Sequence, residues 1–158
     1  MARLDTTDAA ILAKLQKEGR LSNADLAERV GLSASACHRR VRALEASGVI
    51  RGYVALLDAE ALGRGLTVIV LATLENQRRQ TLEAFEAAVA EIEEVMECHL
   101  TTGQEDYLLR LQVRDARDYE RVHRERLSGL PGLARLVSNI AMRTVFARTA
   151  LPVQRTAG

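Results

Sequence analysis

Six side chains that can donate hydrogen bonds to a nucleic acid fall within a ten-residue stretch: Ser33, Ser35, His38, Arg39, Arg40 and Arg42. Short hydroxyl groups followed by guanidinium groups suit contacts with phosphates and with base edges in the major groove of DNA. The stretch therefore predicts a DNA-binding element, provided that these side chains share one face of a helix. The alternative is a basic helix face that contacts only solvent.

A helix over residues 34–47 separates these side chains from a set of apolar ones. At about 100° per residue, one side carries Ala34, Cys37, Val41 and Leu44. The opposite side carries Ser35, Arg39 and Arg42, with His38 beside them and Arg40 at the edge of the apolar stripe. This segregation predicts a recognition helix whose apolar stripe faces a protein core.

The elements that must position this helix form a helix-turn-helix pattern. A first helix is capped by Asp5 or Thr7 and ends by Gly19, and a second begins after Ser22 and stops at Gly31. Ser33 then caps the third helix, Gly48 follows it, and a strand is predicted over Val49–Leu57. Helix pairs joined by a tight turn also occur in proteins that do not bind DNA. The arginine face of the third helix is therefore the feature that favours DNA binding.

The second half of the chain alternates strand and helix patterns. The predicted elements are strands at Leu66–Leu74, Val95–Thr102, Tyr107–Val113 and Leu133–Phe146, with helices at Thr81–Glu94 and from Asp115 to about Ser128. The order βαββαβ predicts a ferredoxin-like sandwich, so the fold class is α+β. Leu108 alternates with the buried positions of its strand, which predicts that the outer sheet face is partly covered by another subunit.

These patterns divide the chain into a DNA-binding domain at residues 1–57, a hinge at 58–65 and a second domain at 66–158. Residues 1–57 carry nine Lys and Arg against six Asp and Glu, whereas the rest carries thirteen against fifteen. A basic first part and a mildly acidic second part indicate that only the first meets a polyanion.

Composition excludes several other classes of protein. With 158 residues, 47% hydrophobic and 27% charged, the chain has the make-up of a soluble globular protein. No apolar run is long enough for a membrane span, and no secretory signal is visible. Cys37 and Cys98 do not form a disulfide framework, so a reducing, cytoplasmic location is expected.

The sequence offers little support for catalysis. His38, His99 and His123 are scattered, and the adjacent Cys-His pairs diverge on a helix or alternate faces on a strand, so they do not converge on a metal. No glycine-rich phosphate loop or nucleophile elbow is present. We therefore expect no enzymatic activity, no metal and no cofactor.

The combined layout resembles the Lrp/AsnC (leucine-responsive, feast/famine) family of transcriptional regulators over nearly the whole chain. The segments that carry the resemblance are Leu4–Asp8, Leu26–Ser33, Cys37–Glu45, Gly48–Tyr53 and Thr102–Leu109. The last is similar to the family's glycine–aspartate effector loop. Gln104-Glu105, Arg114 and Asn139 depart from the usual family pattern.

The resemblance implies a regulator of transcription that binds double-stranded DNA and is modulated by a small effector, typically an amino acid. It implies a homodimer that assembles further, often to an octamer, with the strand near Tyr53 pairing with its counterpart in the dimer mate. The effector-binding residues that it implies are Thr101, Thr102, Gly103, Gln104, Glu105 and Asp106 in the loop, and Ser138, Asn139 and Ile140 in the last strand.

Physical chemistry is compatible with this loop as a ligand site, and it also allows two other functions. Gly103 lets backbone N–H groups approach a carboxylate, and Asp106 could pair with an ammonium group. Alternatively, Gly103 serves only the hairpin turn and Asp106 caps it. The chain would then be an architectural, nucleoid-type DNA-binding protein without effector control, or its second domain would serve only assembly.

Overall fold

The computed structural model describes residues 4–153, which form two compact units. The first unit contains residues up to Leu56 together with the segment from Val145 onward, and the second runs from Leu57 to Thr144. The boundary near residue 57 follows the change in the sequence pattern. The sequence places everything after residue 65 in the second domain, whereas the C-terminal segment lies with the first unit.

Three helices build the first unit: α1 (Thr6–Leu15), α2 (Asn23–Val30) and α3 (Ala34–Ala46). Each begins at a side chain that accepts a backbone N–H three residues ahead; these caps are Asp5, Ser22 and Ser33. Gly31 ends α2 with φ +69°, a left-handed conformation that favours glycine. This glycine turn lets α3 follow α2 after only three residues.

The core of the first unit lies between the three helices. Its buried members are Ile11, Leu12, Leu26, Ala27, Cys37 and Leu44. Cys37 and Leu44 are buried on the predicted apolar face of α3, and Val41 is half-buried there. Ala34 is exposed, contrary to the prediction, because it is the first residue of the helix and lies beyond the core.

Residues 49–57 do not form the predicted strand. Ile50 N donates to Leu44 O at 3.1 Å, and beyond it Tyr53, Val54 and Leu56 are exposed. A strand requires a neighbouring backbone to complete its ladder. The described chain supplies none at this place, so the strand prediction is wrong for the chain on its own.

The second unit is a four-stranded antiparallel sheet in the order β2-β3-β1-β4 with its helices on one face. The strands are β1 (Leu66–Leu74), β2 (Val95–Leu100), β3 (Tyr107–Val113) and β4 (Leu133–Ile140). The helices are α4 (Arg79–Ala90) and α5 (Ala116–Val122), and α5 continues into a π-helical turn at His123–Leu127. The predicted βαββαβ order and α+β class are confirmed.

Alternation along β1 and β3 divides this sheet into a buried and a half-exposed face. Val68, Val70, Leu109 and Leu111 are fully buried under the helices, together with Phe85 of α4. Leu108 and Arg110 point to the other face and are only half-buried. The period of two in the sequence identifies both faces correctly.

The predicted last strand is too long by six residues. Val68 pairs with Ile140, and Ala141 N donates to Thr67 O at 3.0 Å. Because β4 runs antiparallel to β1, Phe146 would need a partner near residue 62. That region is a compact turn, in which Gly63 N donates to Glu60 O at 2.8 Å.

Candidate functional site

The outer face of α3 carries five of the six side chains that the sequence assigns to DNA. Ser33, Ser35, His38, Arg39 and Arg42 are all exposed. The hydroxyl groups of Ser33 and Ser35 lie 3.3 Å apart at the start of the helix. The positive end of the helix dipole, two hydroxyl groups and two guanidinium groups therefore share one accessible surface.

Arg39 and Arg42 have no ion-pair partner among residues 4–153. Two other arginines of the same unit, Arg29 and Arg40, are paired, Arg29 with Glu18 at 2.6 Å. Unpaired guanidinium groups on an exposed helix face keep their donors available for phosphate oxygens or for the acceptor pair of guanine. The structure thus brings these two residues together on one free surface.

The sixth residue, Arg40, lies elsewhere. Its Nη1 donates to Asp5 Oδ2 at 2.7 Å and to Asp8 Oδ1 at 2.8 Å, so it joins α3 to the start of α1. The pKa of the Asp5 carboxyl is lowered because it accepts the backbone N–H of Asp8 and also the Arg40 guanidinium. Arg40 holds α3 against α1 and is not on the exposed basic face.

The predicted ligand loop, residues 101–106, is closed by its own backbone. Thr101 N donates to Asp106 O at 2.8 Å, and Thr101 Oγ1 donates to Glu105 O at 2.6 Å. These bonds end β2 at Leu100, two residues before the predicted end. Thr102, Gly103 and Gln104 are exposed at the tip.

Asp106 is buried, and both of its carboxylate oxygens are occupied. Oδ2 accepts the backbone N–H of Leu74 at 2.7 Å, and Oδ1 accepts Gln77 Nε2 at 2.6 Å. The side chain is 8% exposed and faces the interior of the second unit, so it fixes the base of the loop. Gln77 was missed from the sequence, since nothing in its spacing marks it as the partner of a residue 29 positions away.

The other loop carboxylate reaches β4. Glu105 Oε1 lies 3.4 Å from Arg135 Nη2, and both side chains retain contact with solvent. This pair connects the loop to β4 across the end of the sheet. Neither residue is locked in the interior, in contrast to Asp106.

The predicted ligand residues of β4 do not all lie on one face of the sheet. Ser138 pairs with Val70 and lies on the helix side, where its hydroxyl is hydrogen-bonded to Tyr119 Oη, whereas Asn139 points to the opposite face. Burial raises the pKa of Tyr119. Alternation along a strand explains the division, and it leaves Ser138 and Ile140 on a different face from Asn139.

The loop and these β4 residues are also separated along the sheet. The loop precedes Tyr107, which pairs with Ala72, whereas Ile140 pairs with Val68. Four residues of β1 span about 13 Å, and β1 itself lies between β3 and β4. One chain therefore does not bring the two predicted ligand segments into a single pocket.

Residues 4–153 offer little support for other kinds of functional site. No group of three or more His, Cys, Asp and Glu side chains is placed to hold a metal ion there. Cys37 is buried, which raises the pKa of its thiol, whereas Cys98 is exposed. In the same part of the chain, the helices are too short and too polar to cross a membrane.

Comparison with known families matches both units. Residues 67–151 match the model of the Lrp/AsnC ligand binding domain, and residues 4–51 match a winged helix-turn-helix DNA-binding model. The leucine-responsive regulatory protein of Salmonella typhimurium is 47% identical over 130 residues, which cover 82% of this chain and 79% of that protein. An uncharacterized HTH-type transcriptional regulator of Sinorhizobium fredii is 48% identical over 75% of this chain and 93% of its own length.

Solved structures extend the match to the fold of the whole chain. A transcriptional regulator from Neisseria meningitidis, crystallised as a complex with L-methionine, is 36% identical with a TM-score of 0.90 and covers 94% of this chain and 96% of its own. An AsnC family transcriptional regulator from Agrobacterium tumefaciens matches with the same identity and TM-score over 94% of this chain and 97% of its own.

Proposed function

The chain belongs to the Lrp/AsnC family, and we propose that it regulates transcription by binding double-stranded DNA through α3 under the control of an amino acid. The observation that carries the DNA-binding part is the free arginine pair of α3. Arg39 and Arg42 are exposed and unpaired among the described residues, whereas Arg40 of the same helix is held by two carboxylates of α1. A helix whose inner arginine anchors it and whose outer arginines remain free is suited to the major groove.

The test of this assignment is DNA binding by Arg39→Ala and Arg42→Ala variants of the full chain. The target is found by capturing genomic fragments, and its affinity is measured by fluorescence anisotropy at several salt concentrations. Each substitution should cost about 1–3 kcal/mol of binding if the arginine reads a guanine, with relaxed specificity at that base. A phosphate contact should instead weaken binding to all sequences alike and reduce the salt slope.

Arg117→Ala is the matched control for these variants. Arg117 is an exposed arginine of α5 that has no ion-pair partner among residues 4–153 and lies in the second unit. Its removal changes the net charge by the same amount and should leave affinity nearly unchanged. Wild-type affinity in the Arg39, Arg42 double variant would contradict the assignment of α3.

For the ligand, we propose an amino acid bound between subunits at the loop of residues 101–106. Three observations support this site: the relative crystallised with L-methionine, the exposed loop tip, and the separation of the loop from Ser138–Ile140 within one chain. A second subunit can bring a loop and a strand together where one chain does not. Because Asp106 is occupied internally, the backbone N–H groups around Gly103 and the solvent-accessible Glu105–Arg135 pair are the groups that can meet the ligand.

Calorimetric titration with each of the twenty amino acids tests the ligand, with L-leucine and L-methionine first. Heat with one of them, together with altered DNA affinity, supports an effector-controlled regulator. No heat with any amino acid favours the architectural, nucleoid-type protein that uses the same α3.

Assembly is the remaining part of the proposal. We propose a homodimer in which residues 49–57 of two copies pair as strands, and an association of dimers up to an octamer through the second unit. Tyr53, Val54 and Leu56 are 51%, 85% and 72% exposed in the single chain, which supports a partner for this segment. Sedimentation velocity with and without the bound amino acid measures the assembly number.

A further inference from the structure

The C-terminal segment, residues 145–153, lies in the first unit although it follows the last strand of the second. Chain ends are usually poorly ordered unless contacts hold them in place. Here the contacts come from Gln16 at the end of α1 and from the core of the three helices, and they are of two kinds.

The first contact is a pair of hydrogen bonds between Gln16 and the backbone of Leu151. Leu151 N donates to Gln16 Oε1 at 2.6 Å, and Gln16 Nε2 donates to Leu151 O at 3.1 Å. A carboxamide carries a donor and an acceptor in one plane, as a peptide group does. Gln16, at the end of α1, therefore holds Leu151 as a neighbouring strand residue would.

The second contact is apolar. Val153 is half-buried and packs against the core cluster of the three helices. A cavity of about 790 Å³ lies beside it, lined by Leu12 and Leu15 of α1, Val49 and Ile50 after α3, and the C-terminal segment itself. The side chain of Leu151 is 76% exposed, so its backbone is what attaches the segment at that position.

We propose that the surface between α1 and residues 49–54 is a docking groove for the chain's own C-terminal segment, which is thereby a structural part of the helix-turn-helix unit. The connection from the sheet is short. Ala141 N is still bonded to Thr67 O, and only Met142, Arg143 and Thr144 separate it from the segment. The DNA-binding unit thus has a chain connection to the end of β4 in addition to residues 57–65.

The test compares three substitutions in the full chain by amide hydrogen exchange and mass spectrometry. Gln16→Ala removes both hydrogen bonds, and Leu151→Pro removes the N–H donor of residue 151. Each should speed the exchange of the C-terminal half of α1 and of residues 145–153 by about tenfold. The double variant should exchange no faster than the faster single variant, because both substitutions break the same contact.

Leu151→Ala is the matched control, because it keeps the N–H and changes only an exposed side chain. It should exchange within about twofold of the wild type. Exchange from β1 and β3 should be the same in all variants, which establishes that each is folded. Wild-type protection of α1 in both Gln16→Ala and Leu151→Pro, or effects that multiply in the double variant, would overturn the docking groove.

Discussion

The arginines of α3 divide into two groups at the level of single residues. Arg39 and Arg42 point away from the protein, whereas Arg40 is turned toward the carboxylates of α1. The difference follows from about 100° of rotation per residue on a helix. One arginine-rich stretch can therefore attach a helix to its domain and also present charge to a ligand.

Arg40→Ala should weaken the attachment of α3 to α1. We expect a coupling of about 0.5 kcal/mol between Arg40 and Asp8 in a double-mutant cycle of urea unfolding, because the guanidinium is 34% exposed and solvent screens the pair. Arg39→Ala, on the neighbouring position, should leave the free energy of unfolding nearly unchanged. If Arg40→Ala and Arg39→Ala have the same free energy of unfolding, the ion pairs of Arg40 do not stabilise the fold.

Asp106 has a role that its residue type does not reveal. Asp106→Asn keeps an acceptor for Leu74 N, but its NH₂ group requires the Gln77 carboxamide to turn its Oε1 inward and both bonds lose the charged acceptor, so we expect a loss of about 1 kcal/mol in unfolding free energy. Gln77→Glu on the same background supplies an acceptor for that NH₂ group and should restore part of the loss. Gln80→Glu, an exposed position in α4, is the matched control and should restore none of it.

Arg40 and Asp106 show how much of a single side chain's role can be predicted from the sequence. The position of Arg40 at the edge of the apolar stripe was visible, but its partners were not, because Asp5 and Asp8 are brought to it by the fold of the three helices. The partner of Asp106 was hidden for the same reason, since Leu74 and Gln77 lie about thirty residues earlier. Exposure could be predicted from periodicity, whereas specific hydrogen bonds between distant residues could not.

At the scale of elements, α5 is held to the sheet by a buried carboxylate. Asp118 accepts from Arg114 Nη2 at 2.9 Å and from Arg121 Nη2 at 2.9 Å, and its side chain is 4% exposed. Arg121 also reaches Glu94 at 2.8 Å. Hydrogen bonds from the Arg114 guanidinium and backbone, with those of Arg121, hold the pKa of Asp118 far below its ordinary value.

This depressed pKa gives a pH dependence of stability with a definite sign. Because the folded protein binds the Asp118 proton more weakly than the unfolded chain, the ionised group should stabilise the fold fully above about pH 5 and progressively less as the pH falls through and below about 4. Asp118→Asn should therefore lower the unfolding free energy by on the order of 2 kcal/mol at pH 7, and the difference from wild type should shrink in acid. Urea unfolding at a series of pH values measures it, and a constant difference across that series would contradict the ion-pair explanation.

Element ends were predicted less well than element order. The strand β4 stops at Ile140, two residues from the first residue of β1, and β2 stops at Leu100 because Thr101 closes the loop. Both limits depend on the register of neighbouring strands, which a one-dimensional pattern does not contain. The order βαββαβ needs only the change between a period of two and a period of 3.6, and it was predicted correctly.

In the whole molecule, the segment predicted as a strand, residues 49–57, lacks a neighbouring strand among the described residues of the single chain. Residues 49–57 include β-branched and aromatic side chains, yet they have no strand neighbour within the described chain. An exposed extended segment with unpaired backbone groups and apolar side chains is well suited to pair with a second copy of itself. A symmetric pair would supply the missing ladder and place Val54 and Leu56 together on one of its faces.

Val54→Lys and Leu56→Lys in one chain should therefore shift the protein from dimer toward monomer. Like charges would face each other across the pair at close range, and the apolar contact would be lost. Sedimentation velocity at several concentrations should show a dimer dissociation constant raised at least about tenfold, since each buried apolar side chain is worth more than about 1 kcal/mol. Ala84→Lys with Ala87→Lys, at two exposed positions of α4, is the matched control and should leave the dimer dissociation constant unchanged. Because paired half-sites need two recognition helices, DNA affinity should fall in parallel with dimerisation. A variant that remains dimeric at all concentrations would place the dimer contact elsewhere, on the half-exposed face of the sheet around Leu108.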